Sequence, residues 1–210
     1  NLRSLIENPE SIRITSRDVF GHEYEALPLA DWPDSNPRIL RWGAYQLQLG
    51  TYDTMMPTEP DDGLSGSLPH GLGVHSYMSI LAGSPVLQFD IRFNNAADGN
   101  DKTTDQDNPL GKMYFDSIDI EVPMGWVVMQ DVEDPSFGDS FERRERMVFP
   151  IVDINDDGSM HSMPSQAQFH RRLVIVQEGL ELEGHRLLDK QGLAFAVPSQ
   201  PGDNQQYSWQ

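Results

Sequence analysis

The sequence of 210 residues contains no cysteine, only three lysines and no long apolar run. Without cysteine there can be no disulfide framework and no thiolate metal site. No run approaches the roughly 18 apolar residues that a transmembrane helix needs, so we expect no membrane insertion. The sequence also lacks a phosphate-binding glycine loop and the glycine pattern that surrounds a serine nucleophile. It lacks the histidine spacing of a zinc protease as well.

Positive charge is also scarce. The chain has 33 acidic residues against 15 lysines and arginines, which gives a formal net charge of −18. Such a surface repels nucleic acids and anionic membranes, so we expect neither as a partner. An acidic, lysine-poor surface suits salty or extracellular surroundings, and we therefore predict an extracellular or periplasmic location.

Strand patterning dominates what the sequence does contain. From Leu87 to Phe93, apolar residues alternate with polar ones. Because successive side chains of a strand point to opposite faces, this alternation predicts an antiparallel strand with one buried face. By similar reasoning, further strands are predicted at Ile12–Ile14, Tyr45–Leu49, Val74–Leu81, Ile118–Val122, Trp126–Gln130, Met147–Val152, Phe169–Gln177 and Leu193–Val197.

Helical patterning is limited to two segments. A helix is predicted over Leu180–Gln191, with Leu182, Leu187 and Leu188 on one face, and a shorter one near Leu2–Ile6. The fold class is therefore all-β, mainly an antiparallel barrel or sandwich, with one helix near the C-terminus. We expect a single β-rich domain over residues 1–198 and a linker-like tail over residues 199–210 that leads toward a missing downstream region.

Two acidic loops are candidates for calcium binding. Residues 153–159 have the Asp-x-Asn-x-Asp-Gly-Ser spacing that arranges oxygen ligands around calcium, which makes Asp153, Asn155, Asp157 and Ser159 candidate ligands. The same residues are favoured in a hairpin turn, and the carboxylate expected twelve positions into such a loop is replaced by Pro164. A looser second candidate site comprises Asp98, Asn100, Asp105 and Asp107. No other cofactor is expected.

Aromatic rings and guanidinium groups indicate sugar binding. Tryptophan offers a flat face to a pyranose ring, and arginine offers a forked donor that matches a uronate carboxylate. The candidate carbohydrate-binding residues are Trp32, Trp42, Trp126, Arg144 and Arg171. Core or turn packing is the alternative for Trp32 and Trp42. Arg171 and Arg172 alternate faces on one strand, so at most one of them can reach a given site.

Asp119 and Glu121 are the one pair of carboxylates with a spacing suited to catalysis. They lie two residues apart on a predicted strand, with backbones about 7 Å apart, which is near the spacing in an inverting glycosidase. A solvent-facing strand produces the same pattern, so we assign no catalytic residue and do not expect this chain alone to be an enzyme.

Several short stretches resemble the RIFT-barrel N-terminal domain of exo-rhamnogalacturonan lyase-like proteins, over about half of the chain. These stretches are Ile12–Ile14, Gly21, Ala30–Ser35 with Arg38, Ala82–Val86, Asn94 and Leu110–Phe115. In that family the β domain precedes a separate helical catalytic region. The resemblance implies fold more than chemistry, because the shared residues pack, turn or continue a strand.

Together these features predict a non-catalytic β module of a larger, secreted, carbohydrate-active protein of the polysaccharide lyase-like kind. Its partners would be a polysaccharide or a downstream catalytic domain. The alternative is a structural or assembly protein of a cell-surface layer or filament, in which calcium bridges acidic loops of self-associating copies.

Overall fold

The computed structural model of the chain is described for residues 1–18, 20–30, 38–59, 70–95, 112–130 and 137–191. Within these ranges it contains fourteen strands and two helices. In chain order they are α1 (Leu2–Ile6), β1 (Arg13–Arg17), β2 (Glu23–Ala26), β3 (Arg38–Trp42), β4 (Gln46–Thr54), β5 (Met56–Pro57), β6 (Gly73–Leu81), β7 (Leu87–Asn94), β8 (Met113–Phe115), β9 (Ser117–Pro123), β10 (Trp126–Gln130), β11 (Phe141–Arg143), β12 (Arg146–Val152), β13 (His161–Met163), β14 (Gln168–Gln177) and α2 (Glu181–Gln191).

The strands form two six-stranded antiparallel sheets and one small two-stranded sheet. Sheet A has the strand order β11-β12-β9-β1-β2-β5, and sheet B has the order β10-β14-β7-β6-β4-β3. The small sheet pairs β13 with β8. The predicted all-β class is confirmed. Over the described ranges both large sheets are open at two outer strands, so the architecture is a sandwich and not a closed barrel.

One continuous core lies between the two large sheets. Ile14 and Ile120 from sheet A and Phe89 and Phe93 from sheet B are all fully buried in it. The period-two pattern from Leu87 to Phe93 is confirmed, because its apolar residues are buried and its polar residues are only partly so. Alternation therefore selects the face that packs inward.

Helix α2 packs on the outer face of sheet B, next to β14 and β10. Leu188 is buried against Val174 and Val176, whereas Leu182 is 62% exposed. The predicted apolar face was therefore wrong at Leu182. Positions 182 and 187 are five residues apart, which places them about 140° apart around the helix axis, and Leu180 packs with Leu187 and Leu188 instead.

Glycine at position 184 explains how closely α2 approaches the sheet. A Cβ atom there would lie 2.9 Å from the sulfur of Met129 and 3.2 Å from a methyl group of Val176. A larger residue would push the helix outward, which accounts for a helix-disfavouring residue in the middle of α2.

The sequence predicted about ten strands, and the fourteen observed include several short ones that alternation does not reveal. β5 has two residues, and β8, β11 and β13 have three each. Pro57 is accommodated because β5 is an outer strand of sheet A, where a residue without a backbone N–H loses no sheet hydrogen bond. The predicted strand Leu193–Val197 and the tail at residues 199–210 lie outside the described residues.

Candidate functional site

A pocket opens at one end of the sandwich, between β14, the end of β12 and the small sheet. We call it the end pocket. Its volume of about 350 Å³ is at the lower end of the range of small-molecule sites. The residues that line it are Phe115, Val152, His161, Ser162, Met163, Ala167, Gln168, Phe169 and Arg171.

Arg171 supplies the positive charge of the end pocket. Its guanidinium carbon lies 5.1 Å from the centre of the Phe169 ring, which is a cation–π geometry. Its Nε donates to the carbonyl of Ile151 at 3.2 Å, and its Nη1 donates to the carbonyl of His170 at 3.2 Å. The aromatic face and the two backbone acceptors hold the planar group in one orientation.

Aromatic rings build the walls of the end pocket. Phe169 stacks on Phe93 with ring centres 5.0 Å apart, and His161 stacks on Phe115 with ring centres 5.4 Å apart. The His161 Nε2 lies 2.7 Å from the carbonyl oxygen of Asp153. Because a carbonyl oxygen only accepts, Nε2 carries the proton, and in the neutral ring Nδ1 is an acceptor.

The structure distributes the predicted sugar-binding residues over distant places. Trp42 is 77% exposed on the outer strand β3, and Trp126 is 8% exposed in the main core. Arg144 is exposed in the tight turn between β11 and β12, with a φ of 50°. Only Arg171 lines the end pocket. Trp32 lies outside the described residues.

Strand register explains why Trp42 and Arg171 cannot share one sugar ring. Trp42 aligns with Leu47 of β4 and so with Ile80 of β6, whereas Arg171 aligns with Ile91 of β7 and so with Ser76 of β6. Four residues along the strands at about 3.4 Å each and four steps between strands at about 4.8 Å each place the two backbones roughly 23 Å apart. Arg172 pairs with Asp90 on the outer face of sheet B, so the predicted alternation of Arg171 and Arg172 is confirmed.

The loop predicted to bind calcium is closed by its own hydrogen bonds. The amide of Asn155 donates to the carbonyl of Ser159 at 2.9 Å, and the backbone N–H of Ser159 donates to Asp157 Oδ1 at 2.9 Å. Hydrogen bonds from the Ser159 side chain and then from its backbone N–H lower the pKa of Asp157. The side chain of Asp153 accepts from the backbone N–H of Ile154 at 2.8 Å. The backbone N–H of Gly158 also donates to the carbonyl of Asn155 at 2.9 Å, so the loop is a tight turn, but it is not a hairpin because β12 and β13 belong to different sheets.

Among the residues that the structure describes, no group of three or more acidic, histidine or cysteine side chains is arranged to hold a metal ion. The second candidate calcium site, formed by Asp98, Asn100, Asp105 and Asp107, lies outside those residues.

In the described part of the chain, no helix is long and apolar enough to cross a membrane.

Asp119 and Glu121 project from the outer face of sheet A, away from the buried isoleucines of β9. They are nonetheless only 7% and 6% exposed. Arg143 covers them: its Nη2 donates to Glu121 and, at 3.2 Å, to Thr15 Oγ1, and lies 3.5 Å from Asp119 Oδ2. Its Nη1 lies 3.9 Å from Glu23 Oε2. The arginine thus reaches from the outer strand β11 across three neighbouring strands.

Arg146 fixes the other side of Glu121. Its Nη2 donates to the carbonyl oxygens of Ser11 and Glu121 at 2.8 and 3.0 Å, and its Nε lies 3.4 Å from Glu121 Oε2. Burial raises the pKa of Asp119 to about 6, an effect that Arg143 and Arg17 oppose and that Glu121 and Asp153 reinforce. With Glu121 held by two arginines, this cluster is built as an ion-pair network that fastens β11 and β12 to the sheet.

Sequence reasoning missed most of the end pocket. Phe169 lies two positions before Arg171, so strand alternation alone was sufficient to place both on one face. His161 and Phe115 carry no comparable signal, because they come from short strands that meet only in the tertiary structure.

No protein-family model, no curated protein and no solved structure matches this chain.

Proposed function

We propose that the chain is a non-catalytic β module of a larger carbohydrate-active, polysaccharide lyase-like protein that acts outside the cell or in the periplasm. Its role is to bind or support an acidic polysaccharide, with a uronate unit in the end pocket. The single observation that carries the proposal is the arginine held over an aromatic ring inside a pocket of about 350 Å³.

The chemistry of the end pocket supports a sugar acid. A pyranose ring has apolar faces that stack on aromatic rings such as Phe115 and Phe169, while a uronate carboxylate pairs with a guanidinium group such as that of Arg171. Ser162 and Gln168 add side chains that hydrogen-bond hydroxyl groups. The net charge of −18 opposes unspecific attraction of a polyanion, so recognition must be local.

Affinity electrophoresis tests the proposal. The full chain is run in native gels with and without polygalacturonate, and the wild type is expected to be retarded by the polysaccharide. Arg171→Gln removes the guanidinium group from the end pocket and should abolish most of the retardation.

Arg172→Gln is the matched control, because it removes the same group from the adjacent residue, which faces the other side of sheet B. This variant should be retarded like the wild type. Circular dichroism and thermal unfolding establish that both variants fold. If folded wild type migrates unretarded, or if both variants lose retardation equally, the proposed site is wrong.

A second candidate function is self-assembly at a cell surface, with calcium bridging acidic loops. The observation that favours it is the exposure of apolar side chains on the outer strand β3, where Ile39, Leu40 and Trp42 are 51%, 50% and 77% exposed. Exposed apolar outer strands favour edge-to-edge pairing. Sedimentation velocity with and without calcium separates the two functions, because a module that only binds polysaccharide sediments identically in both conditions.

A further inference from the structure

Helix α2 covers only one part of the outer face of sheet B. Near the end pocket no helix of the described ranges packs on the same face, and there we define the outer platform as Tyr52, His75, Arg92, Asn94 and His170. Tyr52 pairs with His75, His75 with Arg92, and Arg92 with His170, so one row of side chains crosses β4, β6, β7 and β14. Three steps between strands span roughly 14 Å.

The centre of the row is fixed by internal contacts. The rings of Tyr52 and His75 meet edge to face with centres 4.4 Å apart, and Tyr52 is still 54% exposed. Nη2 of Arg92 donates to His75 Nδ1 at 3.0 Å, so Nδ1 is the acceptor and Nε2 carries the proton. Burial, and then the charge of Arg92, lower the pKa of His75, in agreement with a neutral ring.

Two polar atoms of the outer platform have no hydrogen-bond partner among the residues that the structure describes. These are Nε of Arg92, which is a donor, and Oδ1 of Asn94, which is an acceptor, and both are buried under their neighbours. Burying such atoms unpaired is costly, and a ligand group that hydrogen-bonds either atom removes that cost. Arg172, beside this row, is already paired with Asp90 at 3.1 Å.

We propose that the outer platform binds a neutral saccharide chain, with a sugar ring on Tyr52 and hydroxyl groups on Arg92 and Asn94. Hydroxyl groups both donate and accept, so those of a saccharide match the unpaired donor as well as the unpaired acceptor, whereas a carboxylate or sulfate only accepts. An exposed tyrosine ring supplies the apolar contact area. This surface is distinct from the end pocket, since it lies on the opposite face of β14 and selects an uncharged ligand.

A glycan array of neutral and acidic polysaccharides, followed by calorimetric titration of the ligand found, tests the inference. The wild type should bind at least one neutral glycan. Tyr52→Ala should weaken that binding about tenfold or more, which corresponds to one aromatic contact. Asn94→Leu, which removes the unpaired acceptor, should weaken it as well.

Tyr45→Ala is the matched control, because Tyr45 is 84% exposed just before the other end of β4 and should not affect the affinity. Arg171→Gln should also leave neutral-glycan binding unchanged, which separates this surface from the end pocket. The inference is overturned if the folded wild type binds no neutral glycan on the array. Equal affinities of the wild type and Tyr52→Ala for a neutral glycan would overturn it too.

Discussion

Replacing Asp119 by asparagine should change how the stability of the protein depends on pH. Burial raises the pKa of the Asp119 carboxyl to about 6 from an ordinary value of 3.8. Between these pH values the folded state binds more protons than the unfolded state, so the free energy of unfolding falls as the pH rises through this window. The carboxyl therefore favours folding at acidic pH and loses that contribution above about pH 6.

The size of the effect follows from the shift. A difference of about two pKa units corresponds to on the order of 3 kcal/mol. Asparagine keeps the shape of the side chain without a titrating proton, and Arg143 retains Glu121, Thr15 and Glu23 as partners. The quantity to compare is the free energy of unfolding of Asp119→Asn minus that of the wild type at the same pH. We expect this difference to be about 2–3 kcal/mol higher at pH 7.5 than at pH 4.

Urea unfolding followed by circular dichroism measures this difference at several pH values. Comparing the variant with the wild type at each pH cancels the titration of all other groups and any pH-independent effect of asparagine. Asp90→Asn is the matched control. The side chain of Asp90 also projects from the outer face of its sheet, but it forms an exposed ion pair with Arg172. Parallel stability curves for Asp119→Asn and the wild type would refute the burial argument.

Three further predictions concern packing, backbone geometry and the ion-pair network, and each is measured by urea unfolding. Leu188→Ala should lower the free energy of unfolding by about 2–4 kcal/mol, because Leu188 is buried. Leu182→Ala should lower it by less than about 0.5 kcal/mol, because Leu182 is exposed. Similar losses in the two variants would contradict the observed face of α2. Gly158→Ala should cost about 1–2 kcal/mol, because Gly158 has a φ of 71°, and an unchanged stability would exclude that turn. Arg146→Met should cost about 1.5–3 kcal/mol through the lost charged hydrogen bonds, because Glu121 keeps Arg143 as a partner, and a neutral effect would show that Arg146 adds no stability.

Long strands were predictable from sequence because burial of one face imposes a period of two. Trp126–Gln130 was predicted with the bounds that β10 has, and Phe169–Gln177 differs from β14 by one residue. A short outer strand such as β11 has too few residues to show a period. Its position depends on the partner strand β12 and on a turn in which Arg144 and Glu145 both have positive φ.

The outer face of sheet A shows where alternation fails. The sequence correctly places Asp119 away from the core, and alternation then suggests a solvent-facing side chain. Burial comes from Arg143, which is distant in sequence and reaches over from β11. A pattern within one strand contains no information about a side chain from another strand that covers it.

The candidate site was predictable only in part for a similar reason. Arg171 was identified from its residue type and strand, but the end pocket also needs Phe115 and His161 from the small sheet. Those strands are three residues long and pair across more than forty positions of sequence. Their meeting is a property of the sandwich as a whole, which local propensity does not encode.

The most direct test of the central claim, that the end pocket binds an acidic sugar, is a titration of the ¹⁵N-labelled chain with trigalacturonate, followed by amide chemical shifts. We predict saturable shifts at His161–Met163 and at Gln168–Arg171, the two segments that line most of the end pocket. Unchanged spectra at millimolar trigalacturonate, or shifts confined to residues away from the end pocket, would contradict the claim.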